Sequence, residues 1–389
     1  MRIELARSHD GFHVPYVVKG EGPPDLIHVL GPATHQRLHR LDPSPHGYYE
    51  RLASFAGLIV EPIFRSYSER LARFSRLIVV DERGGTGAGL HAASSFVMLE
   101  DRMSDITSVL DGVGADQVTL IGDADTAPVV LFYAATFPTR VHSLVCLGIS
   151  EHINDVGAAL PAVNAPTLVL FEGADGEMEA TTRCLMAEHM DAVSFMETPG
   201  ECGPWEEDIE GLATEVQRLT GHVAPSHQPG RTLATILLTD IVDSTRLASE
   251  FGADRWNQLL DQHDALVRHQ LERFCGQAIK STGDGILATF DGPARATHCA
   301  CAVRDAARSL GIEIRAGLHI GEIEARGTDI SGIAVHIAAR VESLAQPGEV
   351  WVSSTIPPLV AGSGITFVDR GEHELKGVPG PWRLLAVGD

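Results

Sequence analysis

The chain has 389 residues, 44% of them hydrophobic and 21% charged, an ordinary globular balance and a length that allows two domains, each with its own core. Its formal net charge of −22 argues against non-specific nucleic-acid binding and against attachment to an anionic membrane surface. It does not exclude a single nucleotide, whose phosphates a metal ion and a few local cations would handle.

The six cysteines (Cys146, Cys184, Cys202, Cys275, Cys299, Cys301) are scattered without a Cys-x-x-Cys pair. Reduced thiols are expected rather than a disulfide or zinc framework. The N-terminal stretch Met1–Arg7 has no long apolar core, and no apolar run approaches the ~20 residues that span a bilayer. A soluble, cytoplasmic protein is expected.

In chain order, the first half alternates short apolar runs with helix-period stretches. Strands are expected at Asp25–Leu30, Arg76–Val80, Gln117–Ile121, Ser143–Leu147, Thr167–Phe171 and Val193–Glu197, with helices such as Met98–Val113 and Ala127–Thr136 between them. That alternation predicts an α/β domain, a mostly parallel sheet covered by helices on both faces. The polar, proline-bearing stretch Gly221–Gly230 reads as a linker. The expected division is a first domain over 1–222, a linker over 223–231 and a second domain over 232–389.

The second half reads as strand, helix, hairpin, helix, strand. Its expected elements are a strand at Thr232–Thr239, one long helix from about Ser244 to Phe274, a tight turn at Gly283-Asp284-Gly285, strands at Ile312–Ile323 and Glu349–Ser353, and a helix at Ile333–Leu344. Helices collected on one face of a mostly antiparallel sheet would make this an α+β domain.

Two aspartates stand out. Asp240 follows the apolar run Leu233–Thr239, and Asp284 sits in a turn between two strand-like runs. Carboxylates at strand ends suit a hard divalent cation, and a turn entering a helix N-terminus offers N–H groups to phosphate. The alternative for either residue is an aspartate capping a helix or a hairpin.

Five motifs then occur in order: Leu238–Thr245, Lys280–Gly285, Gly317–Gly321, Asp329–Val341 and Glu374–Val378. On these, residues from about 231 to 389 resemble a class III nucleotidyl cyclase catalytic domain, with its ferredoxin-like fold. The resemblance implies two Mg²⁺ or Mn²⁺ ions per site, held by Asp240, Asp284 and the Ile241 carbonyl. It implies that the turn from Ile241 to Thr245 meets the β- and γ-phosphates. Lys280 and Asp329 would read adenine, whose N1 accepts and whose 6-amino group donates, so ATP is expected over GTP. Arg340 would stabilise charge on the α-phosphate, and Lys376 would reach the terminal phosphates. His336 stands one helical turn before Arg340, where the family usually has asparagine. Imidazole donates from a different position and gains charge near neutral pH, so weakened catalysis is expected. The family assembles its sites between two such domains, which implies a homodimer through the cyclase domain, with ATP, from the base-reading pair, as the expected substrate.

Residues from about 10 to 222 resemble the α/β-hydrolase fold, on His28–Gly31, Val80–Gly87, Val118–Thr126, Phe137–Val141 and Pro166–Gly173. The nucleophile elbow Gly-x-Ser-x-Gly reads Gly122-Asp123-Ala124-Asp125-Thr126 here, with alanine in the place of serine. Pro199–Trp205, the stretch that would carry the catalytic histidine, has none; Asp175 is the candidate relic acid. A triad works as a unit, so hydrolysis is not expected. The short link between Leu147 and Thr167 leaves no room for a helical cap. This domain is expected to support dimerisation, to bind a partner or small effector, or to position the cyclase. Taken together, the chain is expected to be an adenylyl cyclase, with a nucleotide-binding pseudocyclase or scaffold as the alternative.

Overall fold

The computed structural model describes residues 3–31, 62–81, 98–149, 151–172, 176–198, 209–221, 231–326 and 329–388. The chain divides into two compact units, Met1–His227 and Gln228–Asp389. The linker stretch 222–230, Asp175 and Pro199–Trp205 lie outside the described residues.

The first unit holds β1 (Glu4–Arg7), β2 (His13–Lys19), β3 (Asp25–Leu30), β4 (Arg76–Asp81), β5 (Val118–Asp123), β6 (Val141–Leu147), β7 (Thr167–Glu172) and β8 (Val193–Thr198). They form one sheet in the order β1-β2-β4-β3-β5-β6-β7-β8. β2 pairs antiparallel with β1 and β4, and the pairs from β4 onward are parallel. Its helices are α1 (Pro62–Leu71), α2 (Leu99–Val113), α3 (Ala127–Thr136), α4 (Gly176–His189) and α5 (Ile209–Thr220).

The central strands are apolar at successive positions because both faces are covered. Leu26, Val79, Ile121, Val145 and Leu168 pack with Phe64, Tyr67 and Leu71 of α1 and Leu212, Val216 and Leu219 of α5. The alternate residues Ile27, Ile78, Leu120, Leu144 and Val169 are buried too, on the side where α3 packs on β5 and β6. The expected strands all form. The antiparallel pair β1 and β2 was not expected; β1 is only four residues long, and both strands carry charged or polar residues at their ends. Between β6 and β7 the described residues make a run of 3-10 turns over Glu151–Ala162.

The second unit holds β9 (Arg231–Ile241), α6 (Ser244–Phe251), α7 (Ala253–Arg273), β10 (Gln277–Ser281), β11 (Gly285–Phe290), α8 (Pro293–Ser309), β12 (Ile314–Arg326), β13 (Asp329–Ser331), α9 (Ile333–Leu344), β14 (Val350–Ser353), β15 (Phe367–Glu374) and β16 (Pro381–Val387). The sheet order is β10-β11-β9-β12-β14-β16-β15, with β13 paired to β12. Pairing is antiparallel except for β12 with β14.

Two expectations are corrected. The single helix from Ser244 to Phe274 is two helices, because Gly252 takes φ 75° and ψ 163°, a conformation that breaks the helical ladder and that glycine adopts without strain. The helices also occupy both faces of the sheet. Asp240, Leu238 and Ile236 share one face, and Ala334 and Ala338 of α9 pack there with Ile236 and Leu287. On the opposite face, Phe290 and Leu271 of α7 both crowd Gly276. α9 therefore lies over the face that carries Asp240.

Candidate active site

β9 runs through the middle of the second sheet and ends on the acidic pair. Asp240 stands opposite Gly285 of β11 on one side and Arg315 of β12 on the other. A Cβ on Gly285 would fall 1.8 Å from the Thr239 carbonyl oxygen, so only glycine lets the β10–β11 hairpin close against the end of β9. The hairpin is then tied down: the Ile241 N–H donates to the Asp284 carbonyl at 3.1 Å, and the Thr282 N–H to the Gly285 carbonyl at 2.9 Å. Asp243 turns the chain into α6 with φ 54°, a left-handed conformation that aspartate tolerates better than most residues. The Ser244 hydroxyl donates to Asp284 Oδ2 at 2.5 Å.

A cation already serves this cluster. Arg315 donates from Nη2 to Asp240 Oδ2 at 2.7 Å, and its Nε lies 2.7 Å from Glu342 Oε1 on α9. Burial holds the Asp240 carboxyl above the usual range; the Arg315 hydrogen bond pulls it down, and the Asp284 charge pushes it up again. Burial raises the Glu342 carboxyl as well, against the pull of Arg315. Among the described residues no group of three or more His, Cys, Asp or Glu side chains is arranged to hold a metal. Two crowded carboxylates nevertheless fit a Mg²⁺-like ion, which uses one or two carboxylates and completes its shell with water and substrate phosphates.

The second grouping is Lys280 with Asp329. A register shift between Ala278 and Lys280 in β10 re-aims the lysine. Its Nζ donates to Asp329 Oδ1 and Oδ2 at 2.9 and 2.7 Å. Asp329 Oδ1 also accepts the Ile330 N–H. The lysine hydrogen bond, then that backbone N–H, hold the Asp329 carboxyl below its usual range. Both side chains are 50% exposed, and such a solvent-screened pair contributes little to stability.

The third grouping lies on and beside α9. His336 and Arg340 are exposed one turn apart on the helix. Arg340 Nε donates to the Lys376 carbonyl at 3.4 Å. Lys376 sits in a turn anchored by buried Leu375, whose carbonyl accepts the Val378 N–H. Thr245 is exposed in the first turn of α6. The structure thus brings together Asp240 with Asp284, Lys280 with Asp329, and Arg340 with Lys376. Arg315, Glu342 and Ser244 escaped the reading of the sequence. An arginine at an inward-alternating position of the strand run Ile312–Ile320, which also carries Glu313 and His319, was the available signal.

In the first unit the turn after β5 is built differently. Asp123 Oδ2 accepts the Gly31 N–H at 2.8 Å, and Oδ1 accepts the Thr126 N–H at 3.2 Å. The Thr126 hydroxyl accepts the Asp123 N–H and donates to the Val29 carbonyl. Among the described non-glycine residues only Asp243 and Cys275 have positive φ, so Ala124 is not in the left-handed region. No described helix in either unit is long and apolar enough to cross a membrane.

Comparison with known proteins bears on the second unit. The family model "Adenylate and Guanylate cyclase catalytic domain" matches residues 228–385. "Putative adenylate cyclase 3" of Rhizobium meliloti is 35% identical over 160 residues, which is 39% of this chain and 27% of that protein. An uncharacterized protein of Mycobacterium tuberculosis is 28% identical over 169 residues, 40% of this chain and 56% of that protein. The chain therefore spans about a quarter to just over half of these relatives' length. Among solved structures, the adenylyl cyclase CyaB from P. aeruginosa is 24% identical, with 41% of this chain and 95% of that one covered at a TM-score of 0.39. An adenylate/guanylate cyclase/hydrolase from Silicibacter pomeroyi is 30% identical, with 40% and 96% covered at 0.37. The C-terminal half of the chain carries a class III adenylate/guanylate cyclase catalytic domain.

Proposed function

We propose that this cyclase domain makes 3′,5′-cyclic AMP and pyrophosphate from ATP, at composite sites of a homodimer and with Mg²⁺ or Mn²⁺. The observation that carries the reading is the pairing of Lys280 with Asp329 in the same chain as the Asp240–Asp284 cluster. Lys280 supplies an N–H to adenine N1 and Asp329 accepts from the 6-amino group. Guanine presents the reverse edge and would face two mismatches. Because the pair is half exposed and weak, opening it to admit a base costs little.

Asp240, Asp284 and the Ile241 carbonyl would hold the ions, two per site. When bound, the ions activate the nucleophile and neutralise the leaving pyrophosphate. The ribose 3′-oxygen bonds to the α-phosphorus as the bond to the bridging oxygen of pyrophosphate breaks, and the hydroxyl proton passes to solvent. Arg340 opposes the charge that grows on the α-phosphoryl oxygens, with Lys376 and the turn at Thr245 on the terminal phosphates. His336 donates one hydrogen bond near the ribose and phosphate, from a different position than an amide would. Each chain supplies metal aspartates to one site and the purine pair and Arg340 to the other.

The first unit, in this reading, is a capless α/β-hydrolase-like domain without hydrolase activity. Its strand order and single antiparallel start support the fold assignment. A hydrolase of this kind needs a nucleophile on a strained turn and a free N–H after β3 for the oxyanion. Here Ala124 lacks the oxygen, the turn lacks the strain, and Asp123 takes the Gly31 N–H. A partner or small effector at this domain and a cytoplasmic location complete the proposal.

The test is product formation from ATP and from GTP, with Mn²⁺ and with Mg²⁺, across a range of protein concentrations. Cyclic AMP formation that rises steeply with concentration and disappears in Asp284→Ala is expected. ATP binding with no turnover, unchanged by His336→Asn, would instead identify a pseudocyclase. A gain of activity in His336→Asn would mark a weakened enzyme.

A further inference from the structure

Arg315 stands between two carboxylates on different elements. Asp240 belongs to β9 and Glu342 to α9, and both lie 2.7 Å from its guanidinium. The register explains the first contact: Arg315 is directly opposite Asp240, and cross-strand neighbours share a face. Gly317 explains the second. It lies two residues along the same face, and a Cβ there would fall 2.1 Å from the Glu342 amide nitrogen. The missing side chain lets α9 settle against β12, which brings the Glu342 carboxylate down to the arginine. Glu342 is only 13% exposed, on the side of α9 opposite Arg340, since two helical residues are about 200° apart.

The charge count at this point is uneven: one guanidinium faces Asp240 and Glu342, with Asp284 acting on both carboxyls. A divalent ion at Asp240 and Asp284 would repel Arg315 and compete with it for Asp240. Glu342 is then the carboxylate left to it.

We propose that Arg315 is an internal counter-cation and a positioning residue: it holds Asp240 in the metal-free protein and passes to Glu342 when a divalent ion loads. This rests on the metal reading proposed above. The arginine thereby ties the state of the metal aspartates to α9, the helix that carries His336 and Arg340. Two ligands on two elements are what the device requires. A guanidinium suits it because separate N–H groups can serve separate carboxylates.

The experiment is Mn²⁺ binding to the full chain without nucleotide, followed by the electron paramagnetic resonance signal of free Mn²⁺, with melting curves to establish folding. Arg315→Met removes the competitor and is expected to tighten binding about tenfold, the scale of one charge-assisted hydrogen bond. Glu342→Gln removes the fallback partner, so Arg315 clings to Asp240 and binding weakens by a similar factor. The double variant separates hand-over from simple field effects. With no arginine to receive, Glu342 has no further role, and the double variant should bind like Arg315→Met alone. Additive behaviour, with the double variant returning to the wild-type affinity, would overturn the hand-over. So would unchanged or weaker binding in a folded Arg315→Met. If that variant does not fold, unchanged or tighter binding in Glu342→Gln is equally decisive against it. Asp284→Ala distinguishes the two readings. Mn²⁺ binding that needs Asp284 but ignores Arg315 and Glu342 defeats this proposal alone. Binding indifferent to Asp284 defeats the metal assignment as well.

Discussion

Each unit carries an aspartate at or next to the end of a central strand, and the two aspartates are built for opposite purposes. Asp123, at the end of β5, is 4% exposed and accepts the backbone N–H groups of Gly31 and Thr126. Those donors cannot move without moving β3 or the start of α3. Asp240, on β9, is 25% exposed at its side chain and is held by one flexible arginine beside a second carboxylate. The first arrangement ties both carboxyl oxygens to backbone N–H groups and stiffens a turn. The second leaves negative charge under-compensated and accessible. A carboxylate becomes available to a cation when its partners can leave, and only Asp240 meets that condition.

Removing Asp284 should give the largest effect. Asp284→Ala is expected to lower cyclase turnover about a thousandfold, since several kcal/mol of charge stabilisation in the transition state are lost. Its melting temperature should hold or rise, because the substitution removes like-charge crowding on Asp240. Assay and melt on the same sample make the check. A stable protein with near-normal turnover would break the comparison from the catalytic side.

Asp123→Ala should behave in the converse way. It leaves the buried Gly31 N–H without its acceptor, which costs about 1–3 kcal/mol. Denaturant unfolding should show the first unit destabilised by that amount, with turnover per folded cyclase domain unchanged. If cyclic AMP formation fell while stability held, Asp123 would belong to a working site and the contrast would fail.

What was legible in the sequence followed the same division. Strand positions in the first unit were readable because residues such as Leu77–Val80 are apolar in unbroken runs. The edge strand β1 was not, since Glu4–Arg7 buries one residue in four. In the second unit Asp240, Asp284, Lys280 and Asp329 could be picked out as candidates because their neighbours form dense local motifs. Arg315 and Glu342 could not, because their role appears only when cross-strand register and the seat of α9 on Gly317 are known. The break at Gly252 was hidden by helix-period residues on both sides, which outweigh one glycine in a periodicity count.

Acid should test the two interiors next. His28 in the first unit and His319 in the second are buried, and burial lowers their pKa values from 6.5 to about 3 and about 4. Each stays neutral in the folded chain while the unfolded chain binds a proton. Stability is therefore full above pH 6.5 and falls as the pH drops from there toward the folded values. The loss is about 2 kcal/mol per histidine by pH 5. Calorimetry at pH 7 and pH 5 should show transitions of both units shifted downward. Replacing His319 with glutamine should remove part of the shift from the second unit only, since Nδ1 meets Ser353 and a neutral amide keeps a polar partner there.

The smallest expected stability change belongs to Lys280, and it is informative because it is small. Its bond to Asp329 is bidentate but half exposed, so Lys280→Ala should leave the unfolding free energy nearly unchanged. The proposed role at adenine N1 predicts a larger change elsewhere. The ratio of ATP to GTP turnover should fall about tenfold, the effect of one lost hydrogen bond to a charged donor. A surface ion pair with no ligand would move neither quantity. A pair that opens to receive a purine must move the second and spare the first, for the same reason that Asp240 can release its arginine: its partners hold each other weakly enough to let go.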